Sequence, residues 1–393
     1  MPDAVLVEFE DEEGRSVSDR LHVPVSILRT QLQALANTQL SLYVNGQPLL
    51  ESLDETLKVV GILSAEEIVK IRMCEDEPAA QAAFHCSSSF SGHEGPVLCV
   101  KYADVIATGG GDSTVRFWDP QTKTQSKIVK QHDHWVQCLD VSADGKYVAS
   151  GALDGGICLY TADGEYVRSF PKHKKGVVVV KFYNGNLVTG SRDNAVIVWD
   201  LSGKVLASYA HSMAVTCICT GNDYLASGGK DARIKVYKNM KFFDELRGHA
   251  HGINAIDCNG IYMVSGCDGG EVIVWKDFVL CRRMKHKAEV ISVSISSNRL
   301  YIASGSFDKT VKIWSLDTGQ MMHSYSHVDF VYKVKMMNDL VASCSKDKMV
   351  KMFRMSKKKV VSEFVCDSEV YCFDVKDGEL VCGTKSNRVY FFR

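Results

Sequence analysis

Histidine and aspartate recur in pairs along most of this sequence. His93, His132, His173, His211, His249, His286 and His327 each open a segment, and Asp112, Asp154, Asp193, Asp231, Asp308 and Asp347 stand further along six of those segments. A His–Asp pair can relay a proton or orient a nucleophile. A chain with so many such pairs does not have as many active sites. Buried polar groups need partners in any fold, so a bracing role is expected and catalysis is not. A second candidate is the side-by-side carboxylates Glu66 and Glu67 in "LSAEEIVKI", residues 63–71. They suit a solvated turn, which composition alone favours. One of them also suits an oxygen ligand for a hard metal ion.

Other chemistry is hard to find. There is no G-x-x-x-x-G-K-[ST] loop, no G-x-S-x-G turn, no C-x-x-C pair and no His/Cys run at zinc-ligand spacing. No enzyme activity, small-molecule substrate or cofactor of its own is therefore expected. The 14 cysteines sit among apolar neighbours, as Cys217 and Cys219 do in "VTCICTG", and read as reduced core thiols of an intracellular protein. Residues 1–20 are acidic without an apolar stretch, and no run of apolar residues is long enough for a membrane span, so neither a secretory signal nor a membrane partner is expected. The net charge of −1 conceals a division. Residues 1–80 carry 15 acids and 6 bases, while residues 81–393 carry 32 acids and 40 bases. An acidic head on a basic body implies two units with different partners.

The elements that must position the His–Asp pairs come as eight copies spaced about 40 residues apart. "TGGGDSTVRFW" (108–118), "TGSRDNAVIVW" (189–199), "SGGKDARIKVY" (227–237), "SGSFDKTVKIW" (304–314) and "SCSKDKMVKMF" (343–353) are clear copies. "SGALDGGICLY" (150–160), "SGCDGGEVIVW" (265–275) and "CGTKSNRVYFF" (382–392) are weaker ones. In the fifth copy Gly269 takes the aspartate position and Asp268 comes one place early. Segments such as "VLCVKY" and "STVRFW" alternate with period two, as half-buried strands do. The Gly/Ser/Asp clusters between them are turn chemistry. The motif, with Trp118-Asp119 and Trp199-Asp200, resembles the WD-repeat family. That resemblance implies an all-β propeller in which the His, Asp and Ser/Thr of each blade form a buried hydrogen-bond network. The eighth copy lacks a fourth strand, and "AAFHCSSSF" (82–90) upstream is available to supply it, so an eight-bladed ring over 82–393 closed by that strand is expected.

Residues 1–75 read as a separate α+β head. "AVLVEFE" (4–10), "RLHVPV" (20–25), "LSLYVNGQPLL" (40–50) and "EIVKIRM" (67–73) alternate like strands. "SILRTQLQALAN" (26–37) has a helical apolar stripe, with Ser26 as the expected cap. This order resembles the ubiquitin-like β-grasp fold. A short acidic linker, 76–81, follows.

A ubiquitin-like head fused to a WD ring, with "LYVNGQPL", "LSAEEIVKI" and "SGHEGPVLCVKY", is similar to the Notchless family of large-subunit ribosome assembly factors. The resemblance implies a nuclear and nucleolar protein of rRNA processing. It implies a ring anchored on the pre-60S particle, among rRNA, ribosomal proteins and other assembly factors. It also implies a head that binds the metal-dependent adhesion site of midasin, a dynein-like AAA ATPase. Glu66, with Glu67 as fallback and Asp54 and Glu55 as remoter alternatives, would complete the shell of a Mg2+ held by that partner. The family places the His loops and Asp turns on one face. Lys172, Lys174, Lys175, Arg192, Lys230, Lys309, Lys346, Lys348 and Lys385 fall there, and RNA phosphates would suit such a face. The competing reading is a WD-repeat adaptor or substrate receptor in ubiquitin signalling.

Overall fold

The structure is a computed structural model that describes residues 4–10, 15–36, 41–44, 47–48, 52–54, 57, 68–74, 86–221, 223–337, 339–376 and 378–392. The chain divides into two compact units, Met1–Ala82 and Ala83–Arg393.

In the first unit β1 (Ala4–Glu10), β2 (Leu21–Pro24), α1 (Arg29–Leu35), β3 (Ser41–Val44), β4 (Gln47–Pro48) and β5 (Ile68–Cys74) follow in sequence. The sheet order is β2-β1-β5-β3-β4. β1 runs parallel to β5, with Leu6 opposite Ile68, and the other pairs are antiparallel. Period-two alternation decides which face is buried. Val5, Val7, Phe9, Val69 and Ile71 turn inward, and Leu32 of α1 packs over them with Leu42, Val44, Leu53 and Leu57. The expected Ser26 cap is not made. The Ile27 N–H bonds the Pro24 carbonyl, so the chain turns once more before the helix begins, and Leu28 becomes the N-cap. Its own N–H donates to Gln31 Oε1 at 3.1 Å, half of a capping box.

The second unit contains eight four-stranded antiparallel sheets. The first runs outward from Val97–Tyr102 through Ile106–Gly110 and Val115–Trp118 to Gln125–Val129. The innermost strand of each sheet packs on that of the next, and Val370–Lys376 of the eighth packs on Val97–Tyr102 of the first. This is an eight-bladed propeller. The eighth sheet takes Val370–Lys376, Glu379–Thr384 and Arg388–Phe392 from the chain's end and Cys86–Ser91 from upstream, with Phe90 opposite Val389. The closing strand is thus observed at 86–91, and residues 82–85 lie outside the described residues.

The burial gradient explains the repeated sequence. The second strand of the first blade, "IATGG", is buried along its whole length, whereas the outermost strand "QSKIV" is mostly exposed. The small residues of second strands let the next blade lean in. A Cβ on Gly109 would stand 2.6 Å from Val136 Cγ1, and one on Gly383 would stand 2.4 Å from Val97 Cγ1. Gly383 therefore permits the contact between last and first blades. Val97, Val100, Trp118, Cys372, Val381, Val389 and Phe391 form one core across that junction.

Candidate functional site

Each blade histidine is buried where the loop entering the innermost strand meets the turn between the second and third strands. In the first blade His93 Nδ1 lies 3.0 Å from both Asp112 carboxylate oxygens, and Nε2 lies 2.8 Å from Thr108 Oγ1. The Trp118 indole N–H donates to the same hydroxyl at 2.9 Å. Asp112 also accepts the backbone N–H groups of Glu94 and Thr114, which ties loop to turn. The pattern repeats as His173–Asp193–Thr189–Trp199 and His286–Asp308–Ser304–Trp314. His211–Asp231–Ser227 and His327–Asp347–Ser343 lack the tryptophan. Burial opposes ionisation of Asp308 and Asp347, but their hydrogen bonds and histidine partners outweigh it and hold both carboxyls at about 2. A saturated, buried relay of this kind braces a loop and offers no open position to a substrate.

Three blades depart from the pattern. In the second, His132 Nε2 meets Ser150 Oγ at 2.6 Å, but the expected bond to Asp154 is not made. Asp154 accepts the Gly156 N–H and is drawn to the Lys172 ammonium at 2.6 Å. In the eighth, buried Cys366 and Cys382 occupy the His and Ser/Thr positions, 3.9 Å apart. The fifth blade holds His249 without an aspartate.

The loop face carries the basic residues expected there, and ion pairs divide them into two groups. Lys172 binds Asp133 and Asp154, Lys230 binds Asp268, Lys346 lies 3.7 Å from Asp329, and Lys385 binds Glu369 at 2.9 Å. Lys174, Lys175, Arg192, Lys309 and Lys348 are exposed. Of the nine, these five make no ion pair among the described residues. Of the head residues, Asp54 sits in a short turn with its N–H bonded to the Val25 carbonyl. Glu55, Glu66 and Glu67 lie outside the described residues.

Sequence reasoning missed a ring of charge around the channel. The fifth residues of the eight innermost strands are Lys101, Asp140, Lys181, Cys219, Asp257, Ser294, Lys335 and Asp374. Lys101 Nζ lies 2.9 Å and Lys181 Nζ 3.6 Å from Asp140 Oδ1, while Lys335 binds Asp374. Each aspartate also reaches the next blade, accepting the N–H of Phe182, Ile295 or Tyr102 at 2.8–3.0 Å. Burial works against the Asp374 charge, yet Lys333, Lys335 and Lys101 overcome it and hold the carboxyl at about 2. Lys333 itself, deep in the channel, donates to the Phe373 carbonyl, and burial lowers its ammonium. A cavity of about 300 Å³ opens at this level beside Lys101, Lys181 and Lys333. The available signal was charge at one fixed repeat position.

An eight-bladed ring braced blade by blade through His, Asp and Ser/Thr defines a WD-type β-propeller. The chain belongs to the WD-repeat family: the description "WD domain, G-beta repeat" matches residues 84–119, 123–161, 164–200, 203–238, 240–276 and 279–315, more than half of its length. Residues 327–393 match a TEP-1 C-terminal β-propeller. Among relatives, the Notchless protein homolog of Arabidopsis thaliana is 29% identical over 391 residues and covers 81% of each chain, consistent with a Notchless-type WD-repeat protein. The U3 small nucleolar RNA-associated protein 15 homolog of Xenopus laevis is 26% identical over 63% of this chain, which spans about half of that relative's length. The computationally designed Ika8 protein has the same fold, with a TM-score of 0.72, 26% identity, and coverage of 77% of this chain and 98% of its own.

Proposed function

We propose that this protein is a non-catalytic assembly factor of the large ribosomal subunit, acting in the nucleus and nucleolus. The observation that carries the reading is similarity to a Notchless homolog along 81% of both chains. A nucleolar-RNA-associated relative supports a ribosome-biogenesis setting. The five-stranded mixed sheet with order β2-β1-β5-β3-β4 and one described helix supports a ubiquitin-like head. The ring anchors on the pre-60S particle, with Lys174, Lys175, Arg192, Lys309 and Lys348 facing phosphates. The head presents Glu66, which precedes β5 in the sequence, to Mg2+ in the adhesion site of midasin. A carboxylate from outside suits that ion, because Mg2+ takes octahedral oxygen ligation and keeps exchangeable positions. ATP-driven movement of the motor then pulls on the factor through this grip.

Binding of the full chain to a midasin adhesion-site domain tests the grip. Glu66→Ala and chelation of Mg2+ should each reduce binding at least tenfold, and Glu67→Ala should leave it nearly unchanged. Binding that survives both Glu66→Ala and chelator removes the carboxylate–metal bridge from the mechanism.

A further inference from the structure

The fifth blade differs from its neighbours at one atom. In blades one, three, four, six and seven the histidine Nδ1 meets an aspartate at 2.8–3.1 Å. In blade five Gly269 stands at that position. Asp268, one residue earlier, is held elsewhere by Lys230 Nζ at 2.8 Å and Asn254 Nδ2 at 2.9 Å. His249 keeps its Nε2 contact to Ser265 Oγ at 2.7 Å, but its Nδ1 has no hydrogen-bond partner among the described residues although the side chain is 0% exposed. An unpaired buried polar atom of this kind is costly and calls for an explanation.

Two further donors surround that atom. Cys267 is fully buried, and Glu271 Oε2 lies 3.8 Å from His249 Nδ1. One ligand atom from each of His249, Cys267 and Glu271 lies within 4.8 Å of the other two. A direct hydrogen bond requires about 3.2 Å or less, so the Nδ1–Glu271 separation is too long for one. It is close to the spacing of two ligands on a shared ion. Metal–ligand lengths of about 2.0–2.3 Å set tetrahedral donors about 3.3–3.7 Å apart.

We propose that His249 Nδ1, Cys267 Sγ and a Glu271 carboxylate oxygen bind one zinc-like divalent cation, with the fourth position open. Imidazole and thiolate donors favour zinc over magnesium or calcium. The second nitrogen is already oriented: Nε2–H donates to Ser265 Oγ, which also accepts the Trp275 indole N–H at 2.9 Å. That arrangement leaves the Nδ1 lone pair for the metal. Thiolate and carboxylate together match the charge of a divalent ion once the thiol proton is displaced. Two cations oppose the ion. Arg283 Nη1 lies 3.5 Å from Glu271 Oε2, and Lys285 stands opposite Glu271 across the strands. Arg283 is half-exposed and swings aside when the ion binds. The ion then braces the fifth blade where the others use aspartate. Linear spacing hid the site, because its donors come from a loop, the end of one strand and the start of the next.

The test titrates the full-length protein, kept in a non-thiol reductant, with Co2+ as optical probe and Zn2+ as competitor. One equivalent should bind with a thiolate-to-cobalt charge-transfer band, and Zn2+ should displace it. Cys267→Ala should abolish the band, and Glu271→Gln should weaken binding at least tenfold. Neither change touches the His249–Ser265–Trp275 bonds, so metal-free unfolding midpoints control for folding, and Glu271→Gln alone decides if Cys267→Ala fails to fold. Wild-type protein without the band, a band retained in Cys267→Ala, or affinity unchanged in Glu271→Gln overturns the proposal. The first of these results leaves a bridging water between His249 and Glu271.

Discussion

Asp374→Ala should destabilise the propeller by about 3–5 kcal/mol, the usual cost of removing one partner from a buried ion cluster. Asp374 is 6% exposed and joins the last blade to the first. Its carboxylate accepts the Tyr102 N–H, binds Lys335 and compensates Lys101 and Lys333. Removing it takes the carboxylate from Lys333 and Lys335 and orphans a backbone donor. Lys335→Met alone should cost less, because Lys101 still faces the carboxylate. Combined with Asp374→Ala it should recover part of the loss, a coupling that a double-mutant cycle measures. The pH dependence has a defined sign. The folded carboxyl titrates at about 2, below its unfolded value of about 3.9. The contribution is therefore complete above about pH 4 and is lost as pH falls towards 2. Denaturant unfolding of wild type and variants checks this. A loss below about 1 kcal/mol would show that the charge ring is incidental to closure.

Removal of the closing strand should have a larger effect still. Deletion of residues 1–82 leaves Cys86–Ser91 paired with Arg388–Phe392. Deletion of residues 1–91 exposes that last strand as an unpaired edge, which invites aggregation. It also uncovers buried Trp118 and Phe391, whose ring centroids lie 6.2 and 6.3 Å from that of Phe90. The shorter deletion should unfold cooperatively near the wild-type midpoint. The longer one should aggregate or lose a cooperative transition. Equal midpoints for the two would mean that the ring closes without its upstream strand.

Repetition made the ring legible. Eight copies, a histidine ahead of seven of them and a segment upstream available as the eighth copy's missing fourth strand were enough to expect eight blades and their closure, because a closed ring of blades leaves only short, protected sheet edges. The channel was not legible. Lys101, Asp140 and Asp374 occupy polar phases of alternating strands, which look solvated until the strands are placed in a ring. The face charges were half legible: the sequence located Lys172, Lys230, Lys346 and Lys385, but their carboxylate partners come from loops 16–39 residues away or from neighbouring blades. Ser26 was misread as a helix cap because cap propensity cannot register the extra turn after Pro24. Blade five shows the same limit, since the displacement of Asp268 was visible while its consequence for His249 was not.

The most direct test of a ribosome-assembly role is sedimentation of the tagged full-length protein on gradients at two salt concentrations. It should travel with precursors of the large subunit at low salt. That association should weaken as salt rises, since lysine–phosphate contacts release counterions. Recovery only in small complexes at the top of the gradient, at both salts, would contradict the role and favour an adaptor in ubiquitin signalling.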